Sequence, residues 1–178
     1  LISSSALTFA ADYNLTMATT TPANSPWGST LTSFQNLVKE YTKGQVEINA
    51  SFGGALGNDT QLLQKTQLGS TVQGAQSSGA NLGSVVSAFK AFDVPYIINN
   101  LETSTKLFYP NGSLGGETVD ELQSLMAKKN LRLLYVMPFL FRGILTTEKT
   151  INSPADMEGL KIRVTPSEVE RSMITELG

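Results

Sequence analysis

At 178 residues, 40% of them hydrophobic and 16% charged, the chain is long enough to bury a sizeable core, and its composition excludes disorder throughout. A formal net charge of −2 excludes the basic field a nucleic-acid partner requires. With no Cys and no His, the chain lacks disulfides, thiol nucleophiles, the usual zinc ligands and the commonest proton carrier near neutral pH.

The first residues, Leu1 to Ala11, read as the end of an apolar export signal. Thr8 and Ala10 stand at the two small positions a signal peptidase needs, which places the mature start at Ala11. An ordinary N-terminal strand remains the alternative. No later stretch approaches the roughly 20 uninterrupted apolar residues of a spanning helix.

Tyr13 to Ala18 alternates apolar and polar residues as a half-buried strand does, and Thr19 to Pro22 is a polar turn. Ser25 and Pro26 open a helix predicted over Trp27 to Lys43, which Gly44 stops. Gln45 to Phe52 alternates again, giving the strand, helix, strand rhythm of a parallel α/β sheet. Gly53 to Gly57 is a turn, without the spacing or the lysine of a phosphate loop. Asn58 or Asp59 then caps a helix to Gly69, and Thr71 to Ala75 is a short third strand. The small polar run Gln76 to Asn81 follows at the sheet's carboxyl edge, where open α/β sheets collect ligands.

Phe89, Phe92, Val94, Tyr96, Ile97 and Ile98 form an apolar segment expected in the core. Helices are predicted from Leu101 to Phe108 and from Thr118 to Lys129, a buried strand over Leu131 to Val136, and a further extended segment over Arg142 to Thr147. Ser153 and Pro154 start a one-turn helix, and Lys161 to Val164 reads as a strand. Thr165 to Glu168 has the spacing of a capping box opening the last helix.

The wording Asn152-Ser-Pro-Ala-Asp-Met-Glu-Gly-Leu-Lys-Ile-Arg-Val164 closely resembles a signature of TRAP (tripartite ATP-independent periplasmic) transporter solute-binding proteins, the DctP-like family. The glycine-rich turn with its following helix and the run from Phe92 to Asn100 are similar to that family in order and spacing. The resemblance implies an α/β, periplasmic-binding-protein-like fold with two lobes of type II-like architecture. Residues 12–136 would form an incomplete lobe I and residues 137–178 the start of lobe II, with residues 1–11 the signal remnant. Family members continue past the equivalent of Gly178, so the chain is expected to be an N-terminal fragment. The implied role is that of a periplasmic receptor for a small organic acid, C4-dicarboxylates included, that delivers it to a TRAP permease. No catalysis, cofactor or metal is implied.

Holding a carboxylate in a water-poor cleft calls for a planar, permanently charged donor, because guanidinium forms two parallel bonds to the two oxygens. The matching arginine of the family clamps the ligand carboxylate, which singles out Arg163. Arg142 stands at the spacing of a second ligand-facing arginine, although Leu140 replaces the usual glycine before it. Ser77, Ser78 and Asn81, together with Thr20 in the first turn, are candidates for neutral hydrogen bonds. Two rivals remain: a sensor's ligand-binding domain, and a hydrolase built on a Ser–Lys or acid pair. No Gly-x-Ser-x-Gly pattern supports the latter.

Overall fold

The computed structural model describes residues 11–138 and 142–178. Contacts divide the chain into two compact units, one ending at Ser77 and the other running from Ser78 to Gly178. The export-signal reading of residues 1–10 and the Phe139–Phe141 wording ahead of Arg142 lie outside the described residues.

The first unit follows the predicted rhythm. Strand β1 (Tyr13–Ala18) leads to helix α1 (Pro26–Tyr41), β2 (Val46–Ser51), α2 (Asp59–Leu68) and β3 (Gly74–Ala75). All three strands are parallel in the order β2-β1-β3, with Tyr13 beside Val46 and Met17 beside Gly74. Because successive strand residues point to opposite faces, Met17 packs with Leu31 of α1 and Ile48, while Ala18 packs with Leu62 of α2 and Val72. Each helix thus covers its own face of the sheet.

Local chemistry fixes the helix ends. Ser25 Oγ accepts from the Gly28 N–H at 3.0 Å at the start of α1. At α2, Asn58 and Gln61 exchange side-chain-to-backbone bonds of 3.0 Å in both directions, and Gly69 ends the helix at φ 66°, in the left-handed region glycine tolerates. Strand β3 is shorter than predicted. The Thr16 N–H donates to the side-chain Oε1 of Gln73 at 2.8 Å, so a side chain takes over one ladder position and regular pairing starts only at Gly74.

In the second unit α3 (Gly79–Leu82), a 3₁₀ segment (Ser87–Asp93), α4 (Leu101–Phe108) and α5 (Glu117–Ala127) enclose one core. Val86, Phe89, Phe108, Val119, Leu122, Met126 and Leu133 are buried in it. Phe92 meets Phe89 and Phe108 edge-on, with ring centres 5.9 and 5.3 Å apart, the arrangement aromatic quadrupoles favour. A 3₁₀ turn (Pro154–Met157) and α6 (Glu168–Leu177) follow. Among the described residues no helix is long and apolar enough to cross a membrane.

Several expectations for this unit need correcting. Leu131 to Val136 forms no ladder among the described residues; at Leu133 and Val136 side chains satisfy the backbone instead. Gln123 bonds both the N–H and the carbonyl of Leu133, at 3.0 and 2.7 Å, and the Tyr109 hydroxyl does the same for Val136, at 2.8 and 2.6 Å. Buried backbone groups must find partners, and here two polar side chains take the part of a neighbouring strand. Arg142 to Thr147 and Lys161 to Val164 likewise have no strand pairing among the described residues. The middle of the apolar run after Phe92 leaves the core, while Ile98 packs against it: Tyr96 turns at φ 66° and is 91% exposed, with Val94 and Ile97 also exposed.

Candidate functional site

The last helix begins two residues later than its predicted cap. Ser167 is the N-cap of α6, accepting from the Glu170 N–H at 3.4 Å, and Thr165 lies outside the helix. Glu168, expected to complete the box with Thr165, pairs instead with the Lys90 ammonium from the Ser87–Asp93 segment. Thr165 turns to Glu170: its N–H and hydroxyl both donate to Glu170 Oε2, at 3.0 and 2.6 Å. The other carboxylate oxygen of Glu170 meets a guanidinium nitrogen of Arg142.

One buried acid, 4% exposed, therefore gathers the two segments that carry the predicted arginines. Arg142 is one of its partners, with half of its side chain exposed. Arg163 stands two residues before the anchored Thr165, is exposed, and has no hydrogen bond or ion pair among the described residues. Sequence reasoning missed Glu170. The signal was present in Ser167-Glu-Val-Glu170, a second Ser-x-x-Glu spacing overlapping the one at Thr165.

Asp93 closes this cluster, accepting from the Ser167 hydroxyl at 2.9 Å. Burial raises its pKa above the ordinary aspartate value and the Glu170 charge adds to the rise, against the Ser167 hydrogen bond and the Arg142 charge. A carboxyl whose folded pKa is raised contributes stability that is present below the unfolded pKa, and that contribution is lost as pH rises through the folded pKa. Asp93→Asn keeps an oxygen acceptor for Ser167 and abolishes this titration. The variant is expected to be more stable than wild type at neutral pH and to lose less stability between the ordinary aspartate pKa and neutrality. Denaturant midpoints measured across that range test this, and parallel curves for the two proteins would refute it.

The neutral candidates are divided between the units. In the first, Thr20 donates its hydroxyl to the Asp59 carboxylate, at 3.3 and 3.2 Å to its two oxygens, and so serves the start of α2. Ser77 Oγ is buried and has no partner among the described residues. In the second, Ser78 caps α3 by accepting from the Asn81 N–H at 3.3 Å. Asn81 is 7% exposed, and its Oδ1 has no partner among the described residues. An unpaired buried acceptor costs about 1–3 kcal/mol, so the fold retains it at a loss.

A cavity of about 840 Å³ in the second unit is lined by Ala88, Phe92 and Leu122 with Glu117, Asp120 and Glu121. Three acids and no cation make it unfit for a carboxylate. Among the described residues no His, Cys, Asp and Glu side chains are grouped to hold a metal ion. The sequence does contain one Ser-x-x-Lys spacing, Ser87 to Lys90, but Ser87 is exposed and the Lys90 ammonium is paired with Glu168. A lysine engaged with Glu168 is turned away from Ser87's service, so the hydrolase alternative gains nothing from it.

Known proteins are similar to this chain in sequence and fold. The C4-dicarboxylate-binding periplasmic protein DctP of Rhodobacter capsulatus is 30% identical over 156 residues, which are 87% of this chain and 44% of that protein. A TRAP periplasmic solute-binding protein of Chromohalobacter salexigens, solved with D-glucuronate bound, superposes with a TM-score of 0.83 at 26% identity, covering 92% of this chain and 52% of that one. A second, from Sulfurospirillum deleyianum with bound succinate, gives a TM-score of 0.81 at 25% identity, covering 94% and 52%. The chain spans about half the length of the relatives it matches, and over that half its α/β fold is that of the TRAP solute receptors. Matched from residue 17 to residue 178 by the pattern of the bacterial extracellular solute-binding proteins, family 7, the chain belongs to this DctP family.

Proposed function

We propose that the protein of which this chain is part is an extracytoplasmic receptor that binds a small organic acid by its carboxylate and delivers it, chemically unchanged, to a TRAP-type permease. The carrying observation is the Arg163 guanidinium: exposed, without an acid partner among the described residues, on a backbone segment held in place through Thr165. A guanidinium that no acid among the described residues neutralises, on a backbone anchored two residues away, suits a carboxylate arriving from solution. The unpaired Asn81 Oδ1 suits a hydroxyl donor of such a ligand. In support, the R. capsulatus relative is a C4-dicarboxylate-binding protein, and the two solved relatives hold D-glucuronate and succinate.

Thermal unfolding of the complete protein against a panel of organic acids tests the proposal. A ligand at a hundred times its dissociation constant adds about 2.7 kcal/mol to the native state, so a saturable rise in Tm is expected for one class of acid. A flat response across the panel, or turnover of the bound acid, would count against the receptor.

A further inference from the structure

We propose that Glu170 is the positioning residue of this site: its buried carboxylate aims the Arg142 guanidinium and fixes the segment that carries Arg163. The inference rests on the receptor reading and assigns the site an internal organiser. Glu170 enters from the first turn of α6, where a negative charge is favoured by the helix dipole. Its Oε2 accepts from the N–H and hydroxyl of Thr165, while its buried Oε1 accepts no hydrogen bond among the described residues and meets Arg142 as an ion pair alone, so its charge has one facing guanidinium to answer it.

Arg142 is placed differently. One guanidinium nitrogen meets Glu170, its other nitrogens have no partner among the described residues, and 51% of the side chain remains exposed. A guanidinium has five N–H donors in a rigid fork. Holding it at one end by a fixed acid leaves the other end pre-aimed, so little rotamer freedom is lost when a second carboxylate arrives. Stability alone does not account for the arrangement, because an ion pair with a half-exposed partner contributes only about 0–1 kcal/mol. What a buried acid supplies and an apolar residue cannot is direction for the arginine.

Calorimetric titration of the complete protein tests this, with D-glucuronate and succinate as probes beside the wider acid panel. Glu170→Gln keeps the shape and an acceptor for Thr165 but removes the charge facing Arg142. It is expected to weaken binding roughly tenfold while the ligand-free Tm stays at the wild-type value. In an Arg142→Gln background the same substitution is expected to add no further loss, since Glu170 acts through Arg142. Equal losses in both backgrounds, accompanied by a lower Tm, would reduce Glu170 to a purely structural residue and overturn the proposal. Arg142→Lys gives a route that does not depend on the Glu170 variant folding: it keeps a charge beside Glu170 but loses the fork, so weaker binding is expected, and wild-type affinity there overturns the proposal as well. If wild-type protein binds and Glu170→Gln binds equally well, the positioning role alone fails. If wild-type protein binds no acid of the panel, the receptor reading fails and this inference with it.

Discussion

Arg163→Lys in the complete protein is expected to weaken binding of the organic acid by roughly tenfold to a hundredfold, and Arg163→Ala by about a hundredfold or more, with the ligand-free Tm unchanged in both. The separation between affinity and stability follows from the side chain's surroundings. Arg163 is exposed and pairs with no acid among the described residues, so removing it strands no buried group, and surface changes of this kind stay within about 0.5 kcal/mol. The ligand loses much more. A hydrogen bond to a charged group contributes about 1.5–3 kcal/mol, and a guanidinium makes two of them in parallel to a carboxylate. Lysine keeps the charge but presents a single strongly hydrated point, which is why the conservative change is also expected to fail. Calorimetry on the three proteins, with thermal scans of each without ligand, decides the matter. Wild-type affinity in the lysine variant would remove Arg163 from the site, and a matching fall in Tm would make it a structural residue.

The contrast between the arginines shows what a sequence can and cannot display. Each lies in a stretch without regular structure, yet among the described residues Arg142 has an acid partner and Arg163 has none. The difference is made by Glu170, far along the chain, whose register depends on where α6 starts. Thr165-Pro-Ser-Glu168 and Ser167-Glu-Val-Glu170 both have capping spacing. Local propensity does not choose between them; the choice falls with the long-range pair of Glu168 and Lys90 and with the bond from Ser167 to Asp93. The first unit was legible because its signals are local: strict alternation in β1 and β2, Ser25 and Asn58 at helix starts, Gly44 and Gly69 beyond helix ends. The segments read as strands in the second unit carry the apolar pattern of strands. Leu133 and Val136 nevertheless spend their backbone bonds on Gln123 and Tyr109, a pairing that no window around those residues contains.

Gly28→Ala separates local propensity from tertiary packing most sharply. Glycine is the poorer helix former by about 1 kcal/mol, so helix propensity alone makes this substitution in α1 stabilising. The structure requires the opposite. A Cβ on Gly28 would stand 2.3 Å from the Pro22 carbonyl oxygen and 2.7 Å from that of Ala23, both of them backbone atoms. Neither can swing away as a side chain would, and Pro22 is further held because its carbonyl accepts from the Ser25 N–H at 3.1 Å and the Ser25 hydroxyl at 2.6 Å. Relieving the clash means moving the turn that leads from β1 into α1, and with it the Ser25 cap on the Gly28 N–H. Overpacking of this type costs about 1–3 kcal/mol and loss of a serine cap about 1 kcal/mol, together outweighing the gain in propensity. A net destabilisation of about 1–3 kcal/mol is therefore expected from chemical denaturation. Gly79→Ala is the matched control, since a Cβ there meets nothing within 4 Å and its φ is not in the left-handed region. If Gly28→Ala proved as stable as wild type while Gly79→Ala behaved as expected, the close approach of the Pro22 turn to α1 would be refuted. The placement of the whole Thr19 to Ser25 loop at the carboxyl edge of β1 would then have to be redrawn.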